Sequence, residues 1–403
     1  MVESAYIHIP FCKSKCAYCS FVSFNRLEMI TGYVYALLKD ISDNYCGEKL
    51  RTLYFGGGTP SLLPIDLLSK IIKKFNFQNN YELTMEINPD DANLEYFSSL
   101  KSLGVNRLSL GSQTFDDEIL KLIGRRHDSN AIVNAVNLAK EAGFTNISVD
   151  LIYGLPLQTI DGLKIDLEKF LKLDIQHIST YGLKIEEGSR WYKYCAFNES
   201  APTLSWIIRG VGGVTSDLHL TGLRPTENPL TLPRGEGMTE ICLPDDDAQA
   251  DMYELINNTL EKNGYHRYEV SNFAKSGYES KHNLNYWDNN EYYGFGCAAH
   301  GYVDGIRYSN YSTLDEYMAK PSTHELGHTL SQQEKLEEEI FLGFRKRSGI
   351  NVYRINERFG IDFNSKYKNV LEKHRDFIEP TSCGYTLNLK GVLISNLILS
   401  EFI

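Results

Sequence analysis

The sequence predicts an α/β chain: a partial (β/α)6 barrel followed by a smaller α+β C-terminal domain. Three observations carry this. Short strand-like runs at 6–9, 52–55, 83–87, 107–110, 147–152 and 177–181 recur roughly 25–45 residues apart. Helical stretches lie between them, at 27–41, 65–75, 130–142 and 163–171. This alternation calls for right-handed crossovers and a parallel sheet. The residues that carry chemistry fall at or just after the strand ends, where barrels gather their active groups.

The first strand, within Ala5-Tyr6-Ile7-His8-Ile9, runs through Pro10 into three cysteines, Cys12, Cys16 and Cys19. A C-x3-C-x2-C spacing suits three irons of a 4Fe–4S cube. Such cubes usually take four thiolates, so a set of three leaves one iron open to an exchangeable ligand. Three unrelated buried thiols, or part of a zinc site, are the other readings. Zinc motifs normally pair two C-x2-C or Cys/His sets, and no second set lies nearby. Eight cysteines with three crowded together do not form a disulfide framework, and a reducing cytosol fits them better.

The second strand ends in Gly56-Gly57-Gly58-Thr59-Pro60. Glycines without Cβ let a ligand approach the backbone closely, although a bare glycine run is also an ordinary turn. Four polar residues follow at later strand ends or just beyond them: Glu86, Gln113, Arg125 and Asp150. Each alone reads as a loop or salt-bridge residue. Together they offer a guanidinium for a carboxylate, and carboxylate and amide groups for ribose hydroxyls.

Residues 195–242 differ in composition. They contain no Lys and no Tyr and hold four of the twelve prolines. The stretch reads as an irregular insertion between a barrel at 1–194 and a second region at 243–403; a substrate lid is the functional alternative. Beyond it, 245–261 and 334–344 read as helices, and 265–270 and 305–308 as strands. His324-Glu325-Leu326-Gly327-His328 matches a zinc-hydrolase pattern that works only on a helix. Gly327 and the preceding Pro321-Ser322-Thr323 argue against a helix here.

Bulk properties exclude several classes. The chain has 403 residues, 42% hydrophobic and 23% charged, as soluble globular proteins do. A net charge of −11 lacks the basic footprint of a nucleic-acid binder. No apolar run spans a membrane, and no targeting segment opens the chain, so a cytoplasmic protein is expected.

The cysteine string, the GGGTP loop and the strings around Glu86, Gln113 and Asp150 resemble one branch of the radical S-adenosylmethionine (SAM) superfamily. That branch holds oxygen-independent coproporphyrinogen III oxidases and heme chaperones. The resemblance runs over nearly the whole chain, broken mainly at 195–242. It implies a 4Fe–4S cluster on Cys12, Cys16 and Cys19. It implies SAM contacts from Tyr6, Gly57, Gly58, Thr59, Glu86, Gln113, Arg125 and Asp150.

Three features favour the chaperone side. The oxidases carry a fourth cysteine where Phe21 stands here, and a longer N-terminal cover than the eleven residues before Cys12. His282-Asn283-Leu284-Asn285-Tyr286-Trp287 matches a string of the chaperones, following Tyr268–Ala274, another of their strings. A His beside Tyr and Trp offers heme an axial nitrogen and flat apolar faces. From chemistry alone, a packed aromatic corner with a hydrogen-bonded His is the competing reading. The expected function is therefore binding heme and passing it to an acceptor hemoprotein such as a respiratory enzyme, with peripheral contact to a membrane-bound acceptor and dimerisation left open. The alternative is decarboxylation of coproporphyrinogen III by radical chemistry. Radical modification of tRNA is a weaker third option that the acidic charge disfavours.

Overall fold

The computed structural model describes residues 1–192 and 243–403, and the backbone of one hairpin, β7 (Leu230–Arg234) with β8 (Gly237–Ile241). The rest of the 195–242 segment lies outside the described residues, and with it any lid role. The hairpin itself is regular structure inside a stretch read as irregular.

Six parallel strands pair in chain order: β1 (Ser4–Ile9), β2 (Lys49–Gly57), β3 (Asn76–Ile87), β4 (Arg107–Gln113), β5 (Ile147–Tyr153) and β6 (His177–Gly182). All six expected strands are present, several of them longer than expected. The connecting helices are α1 (Ile30–Asn44), α2 (Ile65–Ile72), α3 (Leu94–Ser102), α4 (Asp117–Leu122), α5 (Ser129–Glu141) and α6 (Ile160–Lys172). Side chains start most of them. Asn93, Asp116, Asp128 and Thr159 each accept from backbone N–H groups of the first turn, satisfying donors that a helix leaves open. Helix α7 (Asp246–Lys262) is capped the same way by Asp245 and packs on α6 and β5.

Strand alternation sorts the side chains. Ile7, Leu53, Phe55, Leu83, Met85, Leu108, Leu110, Val149 and Leu151 join the apolar core shared with the helices. Each such burial is worth about 1.5–3 kcal/mol. The alternate positions are polar and face inward: Tyr6, Tyr54, Glu86, Arg107, Ser109, Asp150, Ser179 and Tyr181 border one interior cavity. The barrel interior is thus built for polar contacts.

Three strands from the second region extend this sheet to nine. β11 (Tyr293–Phe295) runs parallel beside β1. β10 (Asn272–Ala274) is antiparallel beside β6, with β9 (His266–Arg267) beyond it. The ends of the order, β11 and β9, are not paired, so the barrel stays open. The strand expected at 265–270 shrinks to two residues, and β10 and β11 were not foreseen. Helix α8 (Lys281–Trp287) docks against β2.

The remaining C-terminal part holds two small antiparallel sheets and several helices. One sheet is β12 (His300–Val303), β13 (Ile306–Asn310) and β14 (His324–Thr329). Helix α9 (Leu314–Ala319) lies between the last two of these strands, and α10 (Gln332–Gly343) follows with a capping box of Ser331 and Glu334. A second core, including Phe341, Phe344, Ile355, Phe363 and Phe402, also takes Tyr286 and Trp287. The H-E-x-x-H string is strand β14. His324 faces Asn310 and His328 faces Arg307 across the ladder. Four residues along a strand span about 13 Å, so these histidines cannot close on one zinc ion.

Candidate cofactor site

The cysteine loop is held by protein contacts on both sides. The Cys12 N–H donates to Phe24 (3.1 Å), and the Phe24 N–H to Pro10 (2.7 Å). The fully buried Ala17 donates to Ile123 and accepts from Trp191. Lys13 pairs with Asp91 at 2.6 Å, and Ser20 donates to Glu186 at 2.7 Å. Cys12, Cys16 and Cys19 are free, half-buried, and line one cleft of about 230 Å³ at the C-terminal strand ends.

The donor set fits a cluster better than a lone ion. Among the described residues, no three His, Cys, Asp or Glu gather closely enough to hold one metal ion. Three thiols spaced around a cleft suit a cube in which each iron takes one sulfur. Burial, and next to it the Cys16 sulfur, push the Cys19 thiol up to about 12. Bound cationic iron would reverse this, since coordination deprotonates a thiol.

The glycine loop packs directly on the cysteine loop. A Cβ at Gly58 would lie 2.7 Å from the Phe11 carbonyl oxygen and 2.8 Å from its nitrogen. Gly57 has φ of +108°, a conformation open to glycine, and its missing Cβ leaves room for the His8 ring. The Gly57 N–H donates to Glu86 and the Gly58 N–H to Ile9. The donors are therefore committed internally, and a ligand here would meet carbonyl acceptors, which suit an amino group.

A hydrogen-bonded arc runs from one cysteine to another. Thr59 Oγ1 lies 3.5 Å from Cys12 Sγ and accepts from Asn88 Nδ2 at 3.0 Å. Asn88 Oδ1 accepts from Arg125 Nη2 at 2.8 Å, and Arg125 Nη1 lies 3.6 Å from Cys16 Sγ. The Arg125 Nε is buried and has no partner, an open donor suited to a ligand carboxylate. Asn88 was not singled out from the sequence; its place in the Glu86-Ile87-Asn88-Pro89-Asp90 string was the signal.

Glu86 accepts from Tyr54 at 2.8 Å, and burial raises its carboxyl to about 7. Asp150 accepts from Ser109 at 3.3 Å, and burial raises it to about 6. Gln113 has φ of +71° where the β4–β5 register shifts. A left-handed non-glycine residue is uncommon, and such outliers cluster at functional sites. The bulge keeps the Gln113 side chain on the cleft wall.

The structure thus brings together in one cleft Cys12, Cys16, Cys19, Gly57, Gly58, Thr59, Glu86, Gln113, Arg125 and Asp150. Tyr6 and His282 lie elsewhere. They border a smaller cavity of about 60 Å³ inside the barrel, which meets the cleft at Glu86, Ser109, Asp150 and Tyr181. The Tyr6 hydroxyl bonds His8 Nδ1 at 3.1 Å.

His282 departs from the expectation of an open nitrogen. It is 2% exposed, and both ring nitrogens are engaged: Nδ1 with Thr52 Oγ1 (2.8 Å) and Nε2 with the Tyr286 hydroxyl (2.9 Å). Its ring stacks on Tyr54 at 4.9 Å. Glu82 holds the start of α8, accepting from Ser280 Oγ and from the backbone of Lys281 and His282. As described, the motif is the packed aromatic corner.

Known proteins resemble this chain over most of its length. The family model of the radical SAM superfamily matches residues 6–170, and that of the HemN C-terminal domain matches 330–379. The heme chaperone HemW of Lactococcus lactis is 38% identical over 401 residues, covering 96% of this chain and 95% of that protein. The heme chaperone HemW of Bacillus subtilis is 34% identical, covering 100% and 99%. Among solved structures, the radical SAM enzyme coproporphyrinogen III oxidase (HemN) of Escherichia coli superposes with a TM-score of 0.77 at 21% identity, covering 99% and 89%. At that identity the likeness speaks for the fold.

Proposed function

The chain belongs to the heme chaperone HemW family of radical SAM proteins, and on that footing we propose that it binds heme and delivers it to an acceptor hemoprotein. The observation that carries this is near full-length similarity to proteins of that name, joined to a cleft in which three cysteines and seven expected SAM-contact residues converge.

In this reading Cys12, Cys16 and Cys19 hold a 4Fe–4S cluster. Arg125 takes the SAM carboxylate, the glycine-loop carbonyls its amino group, and Glu86, Gln113 and Asp150 its remaining polar groups. Tyr6 acts from the layer beneath through Tyr54 and His8. The cluster supplies an iron without a protein ligand, to which SAM can bind. The protein's part is to hold the three thiols and orient SAM.

Ligation of heme iron by His282 is part of the proposal, and it requires Thr52 or Tyr286 to release a ring nitrogen. A cytoplasmic location, a homodimer and a peripherally met membrane-bound acceptor complete the reading. Among the described residues no helix is long and apolar enough to cross a membrane.

The test is anaerobic reconstitution with iron, sulfide and SAM, followed by parallel assays. Heme binding and transfer to an apo-hemoprotein, without consumption of coproporphyrinogen III, is the expected result. Phe21 in place of a fourth cysteine is the reason to expect no oxidase activity. Turnover of coproporphyrinogen III would make this an oxidase instead.

A further inference from the structure

Arg107 is among the largest fully buried side chains of the protein. It starts β4 and borders the 60 Å³ interior cavity. Among the described residues its guanidinium makes no hydrogen bond or ion pair, and its Nε is an orphaned donor. A buried guanidinium without a partner is costly, because its charge and its N–H groups both lose water. Something else must meet it.

The protein's own carboxylates do not touch it. Asp150 and Glu86 share the cavity, but their hydrogen bonds go to Ser109, Tyr54 and the Gly57 N–H and not to Arg107. Burial raises both carboxyls, and the Arg107 charge draws them back only in part, acting across the cavity without direct contact. The cavity of about 60 Å³ is large enough for ordered water or for one carboxylate group. Water would satisfy the donors and leave the charge. A carboxylate would answer both, presenting two oxygens to a planar fork. The cavity lies next to the cleft, with Glu86, Ser109, Asp150 and Tyr181 lining both.

We propose that Arg107 anchors a ligand carboxylate entering the barrel interior from the cleft, and that this carboxylate is a propionate of heme. The identity of the ligand rests on the heme-binding reading above; the anchor does not, and it is independent of which residue ligates iron.

The test uses the full chain reconstituted with its cluster. Sodium propionate, compared with sodium chloride at equal ionic strength, should raise the melting temperature of the parent by mass action. It should leave Arg107→Met unmoved. That variant should fold, because it replaces an unpaired buried charge with apolar volume; Arg107→Lys, which keeps a cation, should retain part of the response. An equal response in parent and Arg107→Met, or none in the parent, overturns the anchor.

A second arm compares heme with its dimethyl ester. The parent should prefer the free acid by about tenfold or more, the scale of one charge-assisted hydrogen bond, and Arg107→Met should lose that preference. Loss of SAM affinity alone would assign the cavity to the amino-acid carboxylate of SAM and overturn the propionate assignment. If the parent binds no heme at all, the chaperone reading fails, and the propionate response still decides the anchor.

Discussion

Asn88 accepts from Arg125 at 2.8 Å and donates to Thr59 at 3.0 Å. One short amide thereby joins the loops after β2 and β3 to the loop between α4 and α5. The outer ends of the arc touch Cys12 and Cys16. The wall of the cleft and two of the three cysteines are therefore one hydrogen-bonded unit. Asn88 reaches both partners because Pro89 ends the strand at once and holds the preceding residue in an extended conformation.

Replacing Asn88 by Ala should loosen Arg125 without emptying the core. Hydrogen bonds to charged groups are worth about 1.5–3 kcal/mol, so SAM affinity should fall about tenfold or more. Iron content and melting temperature should change little. Isothermal titration of the cluster-loaded variant with SAM reads the first, and iron and sulfide analysis the second. Unchanged SAM affinity would remove Arg125 from the ligand site.

The cluster assignment predicts a division among cysteines. Replacing Cys12, Cys16 and Cys19 together by Ala should abolish the brown colour and the bound iron. Replacing Cys46, Cys297 and Cys383, with Cys195 and Cys242 from outside the described residues, should not. Full iron and sulfide content in the triple variant would sink the assignment.

Gly58 offers a steric test. A methyl group there meets the backbone of Phe11 at 2.7–2.8 Å, and backbone cannot step aside as a flexible side chain can. Gly58→Ala should push the cysteine loop away, lower stability by about 1–3 kcal/mol and reduce cluster occupancy. Gly162→Ala on α6 is the control. Its nearest neighbour is Thr159 Oγ1 at 3.3 Å, and alanine suits a helix better by about 0.5–1 kcal/mol. Equal cluster loading in the two variants would show that the two loops are not packed as described.

The six parallel strands were legible because short strand-like runs recur at regular spacing between helical stretches. Strands β10 and β11 were not. They are three residues long, too short for a period, and their pairing with β6 and β1 is fixed by tertiary packing. The cysteines and the glycine loop were legible by spacing, whereas Asn88 reads in sequence as an ordinary pre-proline turn residue. Arg107 reads as a charged residue at a strand start, and only its burial and lack of partners distinguish it. For His282 the sequence offered two environments, and the hydrogen bonds to Thr52 and Tyr286 decide between them in this conformation.

That environment makes stability depend on pH through His282. Burial lowers its pKa to about 3, helped by the nearby charges of Arg107 and Arg51, against an ordinary value of 6.5. The unfolded chain binds a proton below pH 6.5 that the folded ring refuses until about pH 3. Stability from this group is full above pH 6.5 and declines as pH falls toward 3, by about 1.4 kcal/mol per unit. Glu86 and Asp150 carry the opposite sign: stability falls as pH rises from the ordinary carboxylate range to their raised values of about 7 and 6, and the loss is complete above those values. A difference measurement isolates the histidine. His282→Gln should be less stable than the parent at pH 7, having lost a stacked ring. Between pH 7 and pH 5 it should lose about 2 kcal/mol less than the parent loses. Urea denaturation at both pH values reads this. Equal losses would mean that His282 already titrates near its ordinary value in solution, with its ring nitrogens released from Thr52 and Tyr286. That outcome would favour an imidazole open to heme iron in the resting protein. The expected outcome means instead that the ring stays neutral at physiological pH, so that ligation is limited by those two hydrogen bonds and not by a proton.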